Sequence, residues 1–560
     1  MTDAASGRIA RSDGAGGAAA IGAVELTRLV ACDWDLIIIG GGITGAGVAR
    51  HAAQAGLTTL LVEADDFAAG TSSRSTKLIH GGLRYLAMGD FGLVREGALE
   101  RKSLVAMAPH LAEPRWMLVP ARTRLEFWKL RIGIGLYERL GAVVRADRHR
   151  NLTGQALSAV EPGLDQHRTP WACRYREYHT DDARLVLTTL RAAARDGAVV
   201  GNYLPVTGID RREDHCLVQV HDLRSGTRAS LRARAVVNAA GPWVESVLNT
   251  ANRGMRGDGS AGRALQLSKG VHIVVPYHRL PVANMVMMTA ADGRPVFAIA
   301  RDGVTFVGTT DTPHVGEATI WPPVLAAEVA YLLETANAHF PAARLAAHDV
   351  TASWAGLRPL ILQRGKSPRE MSRRDEIWRD GPLITIAGGK LTGFRRMAEE
   401  TLVAVSAVLG RSVTMPAPLA PLPGGDIADV DALRVATATR YQVDERVAAR
   451  LVRLYGSEVA TVLGERPQPL SQSVFVEEIR WAIEVEGARS LADVVYRRLR
   501  SAWFQPEECA ESLGQAAAFM GRELGWDEAH VRAEIKAVAD RLRSERAAGV
   551  MTASSPAVGR

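Results

Sequence analysis

The chain has 560 residues, too many for one core, and at about 150 residues per domain it should hold two to four units. Its 47% hydrophobic and 23% charged residues are ordinary for a soluble globular protein, and its formal net charge is +7. No run of about 18 apolar residues offers a spanning helix, and Cys32, Cys173, Cys216 and Cys509 are scattered without a C-x-x-C, which excludes a disulfide frame or zinc site and reads as reduced thiols in a cytosolic protein.

Residues 1–33 are rich in Ala and Gly, with Arg8, Arg11, Glu25 and Arg28 spread through them. No compact basic segment precedes an apolar core, so a partly disordered extension is expected and a signal peptide is not. Then comes Asp35-Leu-Ile-Ile-Ile-Gly-Gly-Gly-Ile-Thr-Gly-Ala-Gly-Val-Ala49, an apolar run passing through Gly40-x-Gly42-x-x-Gly45 into a small-residue helix that opens with Ile43 and Thr44. Eighteen residues past Gly45, Thr59-Leu-Leu-Val ends in Glu63, followed by Ala64. Strand, glycines, helix and acid fall where a dinucleotide-binding βαβ unit needs them. Gly40 allows the tight turn, Gly42 the approach of backbone N–H groups to a pyrophosphate, and Gly45 close helix–strand packing. The helix N-terminus favours the diphosphate and the carboxylate accepts from ribose hydroxyls.

A polar loop, Gly70-Thr-Ser-Ser-Arg-Ser-Thr-Lys77, leads into Leu78-Ile-His-Gly-Gly-Leu-Arg-Tyr85, and a helix is expected over 91–107. Residues 115–150 hold nine basic residues against three acids, nearly the whole excess charge, together with Trp116, Phe127, Trp128 and Tyr137. Such a segment suits an anionic membrane surface, or equally a solvated face with its aromatics turned inward. No nucleic-acid motif accompanies it. Residues 181–195 form an amphipathic helix with an acidic start, Ala198-Val-Val200 a strand, and Ala235-Val-Val-Asn-Ala-Ala-Gly-Pro-Trp243 a strand ending at a Gly-Pro turn. Four β-rich pieces, 272–275, 285–288, 296–299 and 304–307, predict an antiparallel sheet inserted into the first domain. Leu383-Ile-Thr-Ile-Ala-Gly-Gly-Lys390 repeats the strand and glycine turn, and a helix covers 392–409. The stiff Pro416–Pro423 linker precedes helical patterns over 445–455, 476–486, 491–499, 507–524 and 527–546. Glycine turns at three strand ends imply one extended ligand touched along its length, better a dinucleotide than a mononucleotide.

Several segments together resemble the FAD-dependent sn-glycerol-3-phosphate dehydrogenases. They are 39–47, 70–85, Asp181-Asp-Ala-Arg-Leu185, Asn238-Ala-Ala-Gly-Pro-Trp243, Lys269-Gly-Val-His-Ile-Val-Val-Pro276, Val307-Gly-Thr-Thr-Asp311, Ala355-Gly-Leu-Arg-Pro-Leu360 and Gly388-Gly-Lys-Leu-Thr392. They occur in family order over about 35–400, and Leu-Ile-His-Gly-Gly-Leu-Arg-Tyr is highly specific. The resemblance implies an α/β architecture of the glycine-oxidase and D-amino-acid-oxidase kind. A Rossmann-like FAD-binding domain (34–115, 181–262 and 350–412) is interleaved with an antiparallel-sheet substrate domain (116–180 and 263–349), and an all-α C-terminal domain covers 424–546. The implied reaction oxidises glycerol 3-phosphate to dihydroxyacetone phosphate, with electrons passing through non-covalent FAD to a membrane quinone. The protein is then expected in the cytoplasm against the inner face of the membrane, with a homodimer left open.

A phosphorylated polyol is a dianion, and cations suit it: Arg by a bidentate grip, Lys as a point charge. Arg84, Arg358 and Lys390 each stand beside a glycine or proline turn, and in family register all three face the flavin ring. Tyr85 either donates to the phosphate or walls the site. Family register also makes His272 the candidate base for the C2 hydroxyl, a residue type that titrates near neutral pH. Arg358 could instead stabilise an alkoxide, and Thr310 and Asp311 either order substrate hydroxyls or form a simple turn. For the coenzyme, Thr71, Ser72, Ser73 and Lys77 offer hydroxyls and a cation to pyrophosphate and ribityl groups. Leu78, His80 and Gly81 line the ring, and Val206 meets adenine. Gly241, Gly388, Gly389, Leu391 and Thr392 contact the ribityl chain and pyrimidine side, with Lys390 beside the reduced ring. The chain departs from the family at Leu391-Thr-Gly-Phe-Arg395 and in a shortened 297–303. No metal site is expected. Two other readings stay open: a flavin oxidase using oxygen, and a flavin-binding scaffold without catalysis. An NAD-linked reading lacks a second glycine fingerprint.

Overall fold

The computed structural model describes residues 18–22, 24–79, 91–141, 143–251, 265–361, 375–414 and 420–547. Among them, an eight-stranded and a ten-stranded sheet carry the body of the chain. The first sheet comprises β1 (Trp34–Ile39), β2 (Thr59–Val62), β7 (Val199–Gly201), β8 (Val206–Arg211), β9 (Cys216–His221), β10 (Arg228–Asn238), β17 (Glu376–Asp380) and β18 (Leu383–Ala387). The second comprises β3 (Leu78–Ile79), β4 (Glu113–Ala121), β5 (Arg150–Thr153), β6 (Trp171–His179), β11 (Leu265–Pro276), β12 (Met285–Thr289), β13 (Pro295–Arg301), β14 (Val304–Gly308), β15 (Thr312–Pro313) and β16 (Ala352–Ile361).

The first sheet runs β17-β18-β10-β1-β2-β7, with the β8–β9 hairpin on β10. β1 pairs in parallel with β2 and β10, and β18 in parallel with β10. Leu36, Ile37 and Ile38 are fully buried. A parallel strand covered on both faces needs such an unbroken apolar run. Helices Ile43–Gln54, Asp182–Arg195 and Phe394–Leu409 cover one face. β1, β2, β10 and β18 thus deliver their carboxyl ends to one crevice, the place where open α/β sheets take ligands.

The second sheet runs β15-β11-β14-β13-β12-β4-β6-β3 and is antiparallel except where β12 meets β4. The four expected β-rich pieces fall on β11 to β14. Two boundaries differ from the sequence reading. β3 pairs with β6, and β16 pairs with β11 from Leu265↔Ile361 to Val274↔Ala352, so 78–79 and 352–361 join the substrate sheet instead of the FAD domain. A ten-residue antiparallel ladder outweighs the proximity of β16 in sequence to β17 and β18.

Helices Val430–Tyr441, Glu445–Tyr455, Val476–Glu484, Pro506–Leu524 and Glu528–Ala547 form the C-terminal region. The expected helix over 491–499 is a wider π-type turn, Asp493–Arg498, ended by Arg500 at φ +66°. The described residues of the N-terminal extension pack against the rest of the chain. The Ile21 N–H donates to Val485 O (2.9 Å), the Gly22 N–H to Val200 O (2.9 Å), and Leu26–Val30 is helical. Its apolar side chains Ile21, Leu26 and Leu29 are buried, which a free tail would leave in water. No helix of the described residues is long and apolar enough to cross a membrane.

Candidate active site

A cleft of about 1690 Å³ runs between the two sheets. Its first end is built from backbone. β1 ends at Gly40, whose φ of +114° belongs to the left-handed side, and a Cβ on Gly45 would stand 1.9 Å from Gly40 O. Helix Ile43–Gln54 starts here without a side-chain cap, its Ile43 N–H donating to Ser72 Oγ (3.1 Å). Glu63 accepts from the Gly41 N–H (2.6 Å) and the Asp65 N–H (2.9 Å). Burial pushes its carboxyl up to about 7, against the pull of those two hydrogen bonds. Thr44, Ala64, Leu78, Val206, Gly241, Leu391 and Thr392 also line the cleft. Thr71 also lines it and donates to Leu357 O (2.6 Å), tying the polar loop to β16.

The other end is built from side chains that sheet register brings together. His272 on β11 stands opposite Gly308 on β14 and Trp354 on β16. A Cβ on Gly308 would lie 2.1 Å from the imidazole, so glycine makes the room. The His272 ring stacks on Trp354 at 4.8 Å, and its Nε2 bonds Thr76 Oγ1 (3.0 Å). Burial, then Lys77 and Arg358, hold the imidazole well below the usual histidine range. The expected near-neutral titration therefore does not hold for this buried ring. Arg358, four positions along the same ladder, donates to Thr309 Oγ1 (2.9 Å) and Asp311 Oδ1 (3.2 Å). Asp311 also accepts from Ser268 Oγ, and Thr310 Oγ1 accepts from the Val271 N–H (3.0 Å). Lys390 follows Gly388 and Gly389, both at positive φ (+79° and +80°), and lines the cleft with them.

Two expected contacts face elsewhere. Lys77 is wholly buried, its Nζ against Asp182 (3.3 Å), Ser75 O (3.1 Å) and the Trp354 ring (4.4 Å). Burial lowers it to about 7. Ser73 is buried too, its Oγ donating to its own loop at Gly70 O (3.4 Å). Neither lines the cleft, because the loop turns these residues toward the protein interior. His80, Gly81, Arg84 and Tyr85 lie outside the described residues, as does the first half of the Pro416–Pro423 linker.

A family model described as FAD dependent oxidoreductase matches residues 35–389, and one described as C-terminal domain of alpha-glycerophosphate oxidase matches 418–531. The aerobic glycerol-3-phosphate dehydrogenase of Staphylococcus aureus (strain USA300) is 36% identical over 537 residues, 91% of this chain and 94% of that protein. The chain belongs to this FAD-dependent oxidoreductase family, among its glycerol-3-phosphate dehydrogenases. The crystal structure of the glycerol-3-phosphate dehydrogenase from Bacillus halodurans complexed with FAD superposes with a TM-score of 0.75 at 32% identity, covering 93% of this chain and 96% of that one. Dithionite-reduced L-alpha-glycerophosphate oxidase from Mycoplasma pneumoniae, at 18% identity and a TM-score of 0.54, shares the fold over 69% of this chain and 97% of its own.

The enzyme is thus an FAD-dependent oxidoreductase, and the cleft fits the coenzyme. The uncapped helix start leaves N–H groups for a pyrophosphate, Gly40 and Gly42 carry no Cβ into that space, and Glu63 lines the cleft at the end of β2, where it could accept from ribose hydroxyls. Sequence reading missed several residues of this dehydrogenase's cleft. Thr76 belongs to the quoted polar loop, but only the fold shows its hydroxyl against His272. Arg294 lines the substrate end and donates to Asp311 O (2.7 Å). Its signal was the Asp292-Gly293 pair, which turns the β12–β13 hairpin toward the cleft. Trp243 also lines the cleft, and a Cβ on Gly70 would meet its ring at 2.8 Å.

One lip of the cleft is helix Arg124–Leu140, which contributes Lys129, Ile132 and Leu136. A Thr123–Glu126 capping box starts it, and buried Ile134 and Tyr137 anchor it. Its outer face exposes Leu125 (65%), Trp128 (51%), Ile132 (67%) and Leu136 (37%), with Arg131 over the Trp128 ring at 4.7 Å. Among the described residues no His, Cys, Asp and Glu group is arranged to hold a metal ion.

Proposed function

We propose that this enzyme oxidises sn-glycerol 3-phosphate to dihydroxyacetone phosphate and passes the electrons to a quinone. The observation that carries the reading is that His272 and Arg358, brought together on the β11–β16 ladder, line one cleft with Lys390 and the glycine turn. Arg358, braced by Thr309 and Asp311, presents a guanidinium of fixed direction to the substrate phosphate, and Lys390 adds a point charge. When bound, FAD supplies the two-electron acceptor for the hydride that leaves C2. His272 takes the proton of the C2 hydroxyl. Nε2 is engaged by Thr76 Oγ1, and Nδ1, closed off from water in the coenzyme-free protein, has no hydrogen-bond partner among the described residues. The low-lying pKa keeps the ring neutral, the form a base needs. Thr310, Asp311 and Arg294 shape the polyol end. Arg84 and Tyr85 remain candidates for the phosphate by family register.

The exposed apolar stripe of helix Arg124–Leu140, flanked by Arg122, Arg124, Lys129 and Arg131, supports a peripheral seat on an anionic membrane. It lies at the lip of the cleft, where a lipid-borne quinone would approach. Anaerobic titration of the purified protein with glycerol 3-phosphate tests the reaction: the flavin bleaches stoichiometrically, and an unchanged spectrum rejects it. The match to the C-terminal domain of alpha-glycerophosphate oxidase favours oxygen as a second acceptor. Peroxide formed in step with substrate would establish that reading over the quinone. Sedimentation with anionic but not neutral vesicles tests the membrane seat.

A further inference from the structure

The cleft is closed from behind by the C-terminal helices. Arg500 is 1% exposed and occupies the left-handed region, an uncommon conformation for a residue other than glycine, just after the Asp493–Arg498 turn. Its Nη2 donates to Ser73 O (3.0 Å) and to Asp182 Oδ1 (2.8 Å), and its Nη1 to Tyr496 O (3.0 Å). The other oxygen of Asp182 accepts from the Ser75 N–H (2.9 Å), Ser75 Oγ (2.7 Å) and Lys77 Nζ (3.3 Å). One guanidinium and one carboxylate therefore hold residues 73–77 from the interior side. The opposite side of that segment carries Thr76, bonded to His272. A second path is apolar: Trp503, three residues on, packs on Trp354 at 5.0 Å, and Trp354 stacks on His272.

We infer that Arg500 is a positioning residue for the oxidation, through which the C-terminal helical region sets the Thr76–His272 pair by way of Asp182 and the 73–77 segment. This rests on the reading of His272 as the proton acceptor. The ends of the chain thereby cooperate in one site: residues 73–77 come from the nucleotide-binding half, His272 from the substrate sheet, and the clamp from a region none of whose described residues lines the cleft. Lysine cannot serve as Arg does, since it has no second nitrogen to hold Tyr496 O while the first holds Ser73 O and Asp182 Oδ1.

The test compares wild type with Arg500→Lys, Thr76→Val and the double variant, and uses Asp182→Asn as an independent break of the same clamp. The rate constant of flavin reduction per bound FAD should fall at least about tenfold in Arg500→Lys, with KM shifted less than about threefold. In the full chain without coenzyme, amide exchange at Ser75 and Lys77 should quicken while that of helix Ile43–Gln54 stays unchanged. The double variant should be no slower than the slower single one, because both act on one pair. Asp182→Asn should repeat the pattern, and so carries the test if Arg500→Lys does not fold. Reduction per bound FAD within about twofold of wild type overturns the inference, as do multiplicative losses in the double variant or exchange that quickens throughout the chain. A wild type that glycerol 3-phosphate does not reduce rejects the proposed reaction instead, and the exchange measurement still decides whether the clamp exists.

Discussion

The two ends of the cleft are made by different means. The glycine-turn end spans residues 39–77 and works through backbone: a left-handed glycine, an uncapped helix and a carboxylate that accepts two N–H bonds. The far end works through side chains of β11 and β16 and the turn after β14, segments far apart in sequence that the sheet brings together. Backbone chemistry tolerates almost no substitution at a few positions. Side-chain chemistry lets catalysis be lost while the coenzyme stays bound.

Four substitutions can break or sharpen that contrast, here in falling order of effect. Gly45→Val drives a branched side chain into Gly40 O; it should cost more than about 2 kcal/mol in urea unfolding and yield colourless protein. Recovery of a yellow, stable variant would sink the backbone account of this end. Arg358→Ala should keep FAD yet lower kcat/KM by about a thousandfold, since a desolvated guanidinium–phosphate pair is lost. Near-normal kinetics would remove it from the phosphate site. His272→Asn should lower kcat by about a hundredfold with FAD retained. In the wild type the acid limb of kcat/KM should fall well below pH 6.5, because burial, Lys77 and Arg358 oppose protonation, and activity is lost only once the ring is charged. An inflection at 6.5 that vanishes in the variant would contradict that placement.

The smallest effect belongs to Glu63. Its folded value of about 7 lies above the unfolded 4.5, so from pH 4.5 to 7 the folded protein holds a proton that the unfolded chain has released. On this group alone, the stability of the coenzyme-free protein declines as pH rises through that window. FAD affinity moves the other way, because ribose hydroxyls donate to the ionised form. Fluorescence titration of FAD into coenzyme-free protein should show affinity rising about tenfold through pH 7, and Glu63→Gln should flatten it.

The same contrast explains what sequence revealed. Gly40, Gly42, Gly45 and Glu63 were legible because the ligand end is local and its spacing is dictated by one turn and one helix. β11 to β14 were legible as apolar strands. Thr76 and Arg294 were not, since their roles depend on which strand pairs with which. Lys77 was assigned to the coenzyme because it sits in a polar run, yet the loop buries it on Asp182. The β16 boundary was misplaced because an antiparallel partner ninety residues away leaves no local mark.

The ions buried between the nucleotide-binding half and the C-terminal helices carry a consequence for how the molecule comes apart. Asp66 is bonded by both Arg497 and Arg498, and Glu486 by Arg184, all nearly or wholly out of water. A carboxylate stripped of its guanidinium in so dry a seam is too costly for the helices to peel away first. Several units by architecture, the chain should lose its C-terminal helices together with the nucleotide-binding half, and a calorimetric scan is expected to show no early peak for the helices alone.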